Sequence, residues 1–120
     1  MATQTTASGL QYEDTVIGEG KQATGPGQIA IVHYTGWLED GTQFDSSKDR
    51  NDPFSFPMGC GRVIKGWDEG ILYMKEGGRA LMIVPSSLGY GSRAYYSIPA
   101  NSVLIFSMHL RDIKYGPNHQ

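Results

Sequence analysis

Gln28-Ile29-Ala30-Ile31-Val32-His33-Tyr34-Thr35-Gly36-Trp37-Leu38 is the stretch on which the fold turns. Along an extended chain it carries apolar side chains on both faces. Ile29, Ile31 and Trp37 lie on one, and Ala30, Val32, Tyr34 and Leu38 on the other. Two-sided apolarity fits a central, covered strand better than an exposed edge. Upstream, Gly25-Pro26-Gly27 makes a firm turn into it. Downstream, Asp40-Gly41 is a hairpin signal, because both residues tolerate positive φ, and it leads back into Thr42-Gln43-Phe44.

Further along, the period changes. Ile64, Trp67, Ile71 and Met74 are spaced by 3, 4 and 3, which puts them on one face of a short helix. Gly77-Gly78 is expected to end that helix. Leu10 to Ile17 reads as a first strand, closed by Gly18-Glu19-Gly20. Phe54-Ser55-Phe56 is a short strand after the polar loop Ser46 to Pro53, and Arg79 to Val84 is another. In the last strand Leu104, Phe106, Met108 and Leu110 alternate with Ile105, Ser107, His109 and Arg111, so one face is buried and the other mixed. Pro85 to Asn101 is a long Gly-, Ser- and Tyr-rich loop, and loops of that length are more often functional than idle. The pattern predicts an α+β domain, a twisted antiparallel sheet of about five strands wrapped around one short helix. It spans residues 9–115, between a flexible tail at 1–8 and a second tail at 116–120.

Composition narrows the classes. A chain of 120 residues fits one domain and buries roughly two-thirds of its unfolded surface without disulfides or metal. Ten Lys and Arg against twelve Asp and Glu leave a net charge of −2, which argues against an electrostatic nucleic-acid binder. The single Cys gives neither an intramolecular disulfide nor a paired-cysteine zinc site. No stretch approaches the ~18 apolar residues of a membrane span. Met1 to Ser8 lacks the basic start and apolar run of a secretory leader, so the chain reads as cytoplasmic. With no heptad and no large apolar patch, it reads as a monomer. Sixteen glycines are roughly twice the usual ~7% share and suggest many turns and close backbone approaches.

Most chemistry-bearing residues stand alone. His33, His109 and His119 have no metal-ligand spacing, and mid-strand His33 reads as a structural histidine. Gly59-Cys60-Gly61-Arg62-Val63-Ile64-Lys65-Gly66 has the glycines of a phosphate loop but not its Gly-Lys-Ser/Thr ending. Cys60 has one basic neighbour, Arg62, and no catalytic His partner. No Ser sits in a nucleophile elbow. What remains is aromatic: Tyr34, Trp37, Phe44, Phe54, Phe56, Trp67, Tyr90 and Phe106. These are either core or the walls of a concave pocket at the helix N-terminus, with Asp45 and the Tyr34 and Tyr90 hydroxyls as its polar groups.

Several segments occur together and in order: Val32-His33-Tyr34-Thr35-Gly36, Leu38-Glu39-Asp40-Gly41, Phe44-Asp45-Ser46-Ser47, Asp52-Pro53-Phe54-Ser55-Phe56, Val63-Ile64-Lys65-Gly66-Trp67-Asp68-Glu69-Gly70, Leu88-Gly89-Tyr90-Gly91 and Ile98-Pro99-Ala100-Asn101. From Leu10 to Ile113 the chain resembles a small, single-domain FKBP-type peptidyl-prolyl cis-trans isomerase. The resemblance implies a sheet curled around one helix, with Trp67 as pocket floor beneath the substrate proline. Tyr34, Phe44, Phe54, Val63, Ile64 and Phe106 would be walls, Asp45 and Tyr90 polar contacts, and the Ile64 N–H a donor to a substrate or ligand carbonyl. Ile98 would contribute from the long loop.

Tyr34, Asp45, Trp67, Tyr90 and Phe106 are thereby the candidate catalytic residues. Phe44, Phe54, Val63, Ile64 and Ile98 are the candidate binding residues. The implied partners are proline-containing peptides, unfolded proteins and macrolide inhibitors, with no metal or cofactor, no nucleic acid and no membrane. Three departures stand out. Arg62 replaces an acid common in eukaryotic members. Tyr95 and Tyr96 occupy a loop tip that is often Gly-rich or holds a His. There is neither an inserted chaperone domain nor a His-rich metal-binding tail. A proline-recognising binding or chaperone module with little turnover is the alternative, and the complete pocket set favours catalysis over it.

Overall fold

The computed structural model describes residues 3–115. Its strands are β1 (Gln4–Thr5), β2 (Gln11–Val16), β3 (Gln28–Leu38), β4 (Gln43–Ser46), β5 (Phe54–Pro57), β6 (Arg79–Val84) and β7 (Leu104–Tyr115). One helix, α1 (Lys65–Gly70), continues as a 3₁₀ turn over Ile71–Tyr73. The strands form one antiparallel sheet in the order β1-β2-β6-β7-β3-β4, with β5 also paired to β3. β3 is an interior strand, paired on both edges. β7 pairs along its whole length, from Gln28↔Tyr115 to Leu38↔Leu104, while β5 and β4 take successive parts of its other edge. At the first hairpin, Gly41 adopts φ +90° and donates to the Leu38 carbonyl at 3.0 Å, and the Asp40 carboxylate accepts from the Thr42 N–H at 2.8 Å.

The sheet curls over α1 and buries one face. Ala30, Val32 and Tyr34 of β3, Ala80, Met82 and Val84 of β6, and Leu104, Phe106, Met108 and Leu110 of β7 point inward with Trp67, Ile71 and Met74. The two-sided cover expected for β3 is only half realised. Ile29, Ile31 and Trp37 are merely half-buried, because α1 covers one face of the sheet and, among the described residues, no second layer covers the other. Helix and sheet approach closely because two helical positions lack side chains. A Cβ on Gly66 would lie 2.7 Å from a Val84 methyl, and one on Gly70 equally close to Met82.

Three local expectations are corrected. The helix ends before Met74, not at Gly77-Gly78. Its last carbonyls are taken from outside the element, since the Gln22 side-chain amide donates to Leu72 O at 3.0 Å and Met74 O at 2.8 Å. The sheet has seven strands rather than about five, because short edge pairings such as β1 add to it. Residues 3–8 are not a free tail. Gln4–Thr5 pair with Gln11–Tyr12, Thr3 donates to Glu13 at 2.6 Å, and Ser8 donates to the Glu69 carboxylate on α1. The tail expected at 116–120 lies outside the described residues.

Candidate active site

Trp67 stands in the first turn of α1 with 6% exposure. Aromatic rings of three strands surround it. Tyr34 lies 4.8 Å away at 71°, Phe106 5.1 Å at 78°, and Phe54 6.0 Å at 68°, centroid to centroid. These edge-on arrangements match the quadrupoles of the rings and fix their orientation. The indole N–H is buried and has no hydrogen-bond acceptor among the described residues. Above the indole opens a cleft of about 340 Å³, lined by Tyr34, Phe44, Asp45, Phe54, Arg62, Val63, Ile64, Trp67, Tyr90, Tyr95, Tyr96 and Phe106.

Two groups outside the rings shape its walls. Gly36 of β3 sits behind Phe44 and Phe106, where a Cβ would fall 2.6 Å from one ring and 2.9 Å from the other. Its bare backbone lets those two rings pack edge-to-face at 5.7 Å. Asp68 accepts from the Gly59 and Gly61 N–H groups at 3.1 Å each, tying the preceding loop to α1 and so placing Val63 and Ile64. The Ile64 carbonyl starts the helix by accepting from Trp67 and Asp68, while its own N–H has no partner among the described residues.

One side of the cleft is charged. The Tyr34 hydroxyl donates to Asp45 Oδ2 at 2.5 Å, and Arg50 donates to Asp45 Oδ1 and, at 3.2 Å, to the Tyr34 oxygen. Partial burial works to raise the Asp45 carboxyl, but the hydrogen bonds from Tyr34 and Arg50 outweigh it and hold the group below the usual carboxylate range. Burial, then the bond to Asp45, pushes the Tyr34 phenol up. Burial and neighbouring Tyr95 do the same for Tyr90. The hydrogen bonds to Tyr34 and Asp45 raise the Arg50 guanidinium still further. At neutral pH the cleft therefore presents a fixed carboxylate, neutral phenols and a permanent cation.

The long loop reaches over the cleft. The Tyr90 and Tyr95 rings stack at 4.3 Å and 5°, and Tyr96 meets Tyr95 edge-on at 4.6 Å. Reciprocal backbone hydrogen bonds between Tyr95 and Ile98, 2.9 and 2.8 Å, close the tip. Tyr96 there takes φ +50° with 92% exposure.

Nine of the ten residues singled out from sequence thus gather in one cleft: Tyr34, Phe44, Asp45, Phe54, Val63, Ile64, Trp67, Tyr90 and Phe106. Ile98 does not line it. At 4% exposure it packs in the core and braces the loop tip instead, because its backbone closes the turn that presents Tyr95 and Tyr96. Arg50 is the group the sequence pattern did not mark, since one arginine in a polar loop looks like any solvated charge. Its spacing five residues after Asp45 was the only signal. Among the described residues no three His, Cys, Asp or Glu side chains converge as metal ligands.

Residues 20–111 match the family described as FKBP-type peptidyl-prolyl cis-trans isomerase. The chain belongs to that family. It is 52% identical over 103 residues to a protein of Neisseria meningitidis serogroup B called "FK506-binding protein", covering 85% of this chain and 94% of that one. It is 46% identical over 107 residues to the Drosophila melanogaster "Peptidyl-prolyl cis-trans isomerase Fkbp12", covering 88% and 99%. The crystal structure of FkpA from Escherichia coli superposes with a TM-score of 0.89 at 36% identity, over 96% of this chain and 53% of that one. The protein is an FKBP-type peptidyl-prolyl cis-trans isomerase with the family's sheet and single short helix.

Proposed function

We propose that the enzyme turns X-Pro bonds of peptides and unfolded proteins by holding the proline ring, non-covalently, in the aromatic cleft above Trp67. The supporting observation is a cleft floored by one indole and walled by edge-on rings, with the charged Asp45 and Arg62 in its lining. Rotation about the X-Pro bond faces a barrier of ~18–20 kcal/mol, because amide resonance must be broken. Uncatalysed, it takes tens to hundreds of seconds. In the twisted transition state the nitrogen is no longer conjugated and the amide is less dipolar. A water-poor apolar cavity therefore disfavours the planar amide relative to the twisted one, and each ~1.4 kcal/mol of that difference is tenfold in rate.

The residues divide the work. Trp67 and Phe106 hold the ring. The Ile64 N–H, which has no partner among the described residues, receives a carbonyl of the peptide. Asp45 and Tyr90 orient the rotating carbonyl, and Arg50 and Tyr34 position Asp45. No proton is transferred and no covalent intermediate forms, so the protonation states of the site stay constant through turnover. Macrolides of the FK506 and rapamycin type are proposed to occupy the same cleft and inhibit, and the monomer is the proposed working unit.

A protease-coupled isomerisation assay on short X-Pro peptides, varying X, tests the reading with Trp67→Leu as the site variant. Turnover that falls about tenfold or more in the variant, and that a macrolide blocks, supports it. Peptide binding with no turnover in the wild type reassigns the cleft to recognition.

A further inference from the structure

β3 and β7 carry the cleft on their inner face, and the residues between turn outward into three transverse rows. Arg79↔His109↔His33 forms one row across β6, β7 and β3. Leu81↔Ser107↔Thr35 forms the next, and Ile83↔Ile105↔Trp37 the third. Successive rows stand about 7 Å apart along the strands, two residues at a time. The first row carries the cation Arg79 beside two histidines, and the third is apolar.

Arg111 extends the cationic row. It is the extra residue of a β-bulge, where Ile31 pairs with Asp112 and Val32 with Leu110, and such bulges turn a side chain out of register. Lys48 joins from the β4–β5 connection, next to Ser47, whose hydroxyl meets His33 Nδ1 at 2.9 Å. Among the described residues the ion pairs are Lys21–Glu76 and Arg50–Asp45, so Lys48, Arg79 and Arg111 are not neutralised in any of them. Their fields reach the imidazoles. Burial first, then Arg111 and Lys48 against an opposing Asp52, lower His33 from the ordinary histidine value, and burial, Arg79, Arg111 and Lys48 lower His109. A chain of net charge −2 thus concentrates positive charge on one patch.

At the apolar end Leu81 is 39% exposed, and Thr3, Gln11, Glu13, Leu81, Ile83 and Ile105 line a shallow hollow of about 80 Å³. That volume takes one side chain. It is a recess and not a protrusion, so it suits an incoming residue rather than insertion into a bilayer. A recess for one apolar side chain beside the cations gives a sugar–phosphate backbone nothing to fill, so the pair of features suits a peptide rather than nucleic acid.

We propose that this outer face docks an acidic segment of a protein partner, its carboxylates over Arg79, Arg111 and Lys48 and one apolar side chain in the hollow beside Ile83 and Ile105. The rows set the spacing. Roughly 13–14 Å separates the cationic row from the apolar one, which an extended peptide covers in about four residues. This surface is independent of the X-Pro reading, because it uses none of the cleft residues.

The test is fluorescence anisotropy with a labelled, proline-free probe, Leu-Ser-Gly-Ser-Glu-Glu-Glu, at about 50 mM salt where surface charges are weakly screened. Binding is expected, weakening about fivefold or more in R79E/R111E and again in the wild type at about 300 mM salt. Replacing the probe leucine by serine weakens it by roughly threefold. Binding tightens only on acidification below the ordinary histidine value of ~6.5, as His33 and His109 gain charge opposite the probe carboxylates. The groups facing those imidazoles are Arg79 from β6, Arg111 from β7, and Lys48 and Asp52 from the β4–β5 connection. Turnover of a short X-Pro peptide reports that R79E/R111E is folded, and R79Q/R111Q replaces it if turnover is lost. No binding, binding equal in the charge variants, or binding of phosphatidylserine vesicles or a 12-nucleotide DNA strand in place of the probe overturns the proposal.

Discussion

Replacing Gly36 by alanine probes the cleft from behind. The new methyl would lie 2.6 Å from Phe44 Cζ and 2.9 Å from Phe106 Cε1. Carbon atoms rest at ~3.5–4.0 Å, so both contacts have to open, the one to Phe44 by about an ångström. Phe106 is wedged between Trp67 and Phe44 at 5.1 and 5.7 Å and has no room. Phe44 is only partly buried and yields toward the cleft, where the substrate ring has to sit. Overpacking of this kind costs about 1–3 kcal/mol, against which a strand Gly→Ala change recovers roughly 0.5–1 kcal/mol. The net loss is about 1–2 kcal/mol, a fall of several degrees in Tm for a domain of this size. Because the displaced ring enters the cleft, kcat/KM falls by about tenfold or more, beyond what lost stability explains. Thermal melting and the coupled assay read the two effects separately. In the double variant Gly36→Ala with Phe44→Leu the clash is relieved, so the stability changes do not add, by about 1 kcal/mol. Full activity and an unchanged Tm in Gly36→Ala would refute the claim that this glycine sets the position of the two rings.

Four further outcomes follow from the same geometry. Asp45→Ala loses about 1 kcal/mol or less of stability, since the pair is largely solvent-screened, but lowers kcat/KM and macrolide affinity; titration calorimetry showing wild-type affinity and full turnover would remove Asp45 from its role. Between about pH 6 and 9 wild-type kcat/KM stays flat, because the Asp45 carboxyl is held low and the Tyr34 and Tyr90 phenols are held high; a step within that range in a pH–rate profile contradicts the assignment. Stability should instead respond to His33 and His109. Their folded-state values are lowered, so the unfolded chain binds more protons, and stability present above the ordinary histidine value of ~6.5 is lost as pH falls below it. Urea midpoints across that range should decline less steeply in His109→Gln. Tyr96→Gly relieves the φ of +50° and leaves stability equal or up to about 1 kcal/mol higher, while changing the preference for X in the X-Pro assay. Marked destabilisation would mean that the exposed ring is structural.

The long interior strand, the helix face and nine of the twelve residues lining the cleft were legible in the sequence because each follows from a local period or an ordered motif. Alternation over Gln28–Leu38 and 3-4-3 spacing from Ile64 to Met74 report which side chains must leave water, and that is a property of the chain itself. Other features depend on residues distant in the chain. The helix stops where Gln22, some fifty residues earlier, supplies donors for its last carbonyls. β1 exists because Gln11–Tyr12 offers an edge to pair with, and Arg50 matters because the β4–β5 connection swings it against Asp45 and Tyr34. Ile98 is held in the core by the turn it closes with Tyr95. The apolar residues on both sides of β3 revealed a strand, but not that only one side would be covered. Periodicity encodes where a side chain points along its own element, whereas what it then meets is decided by the packing of elements that share no local sequence.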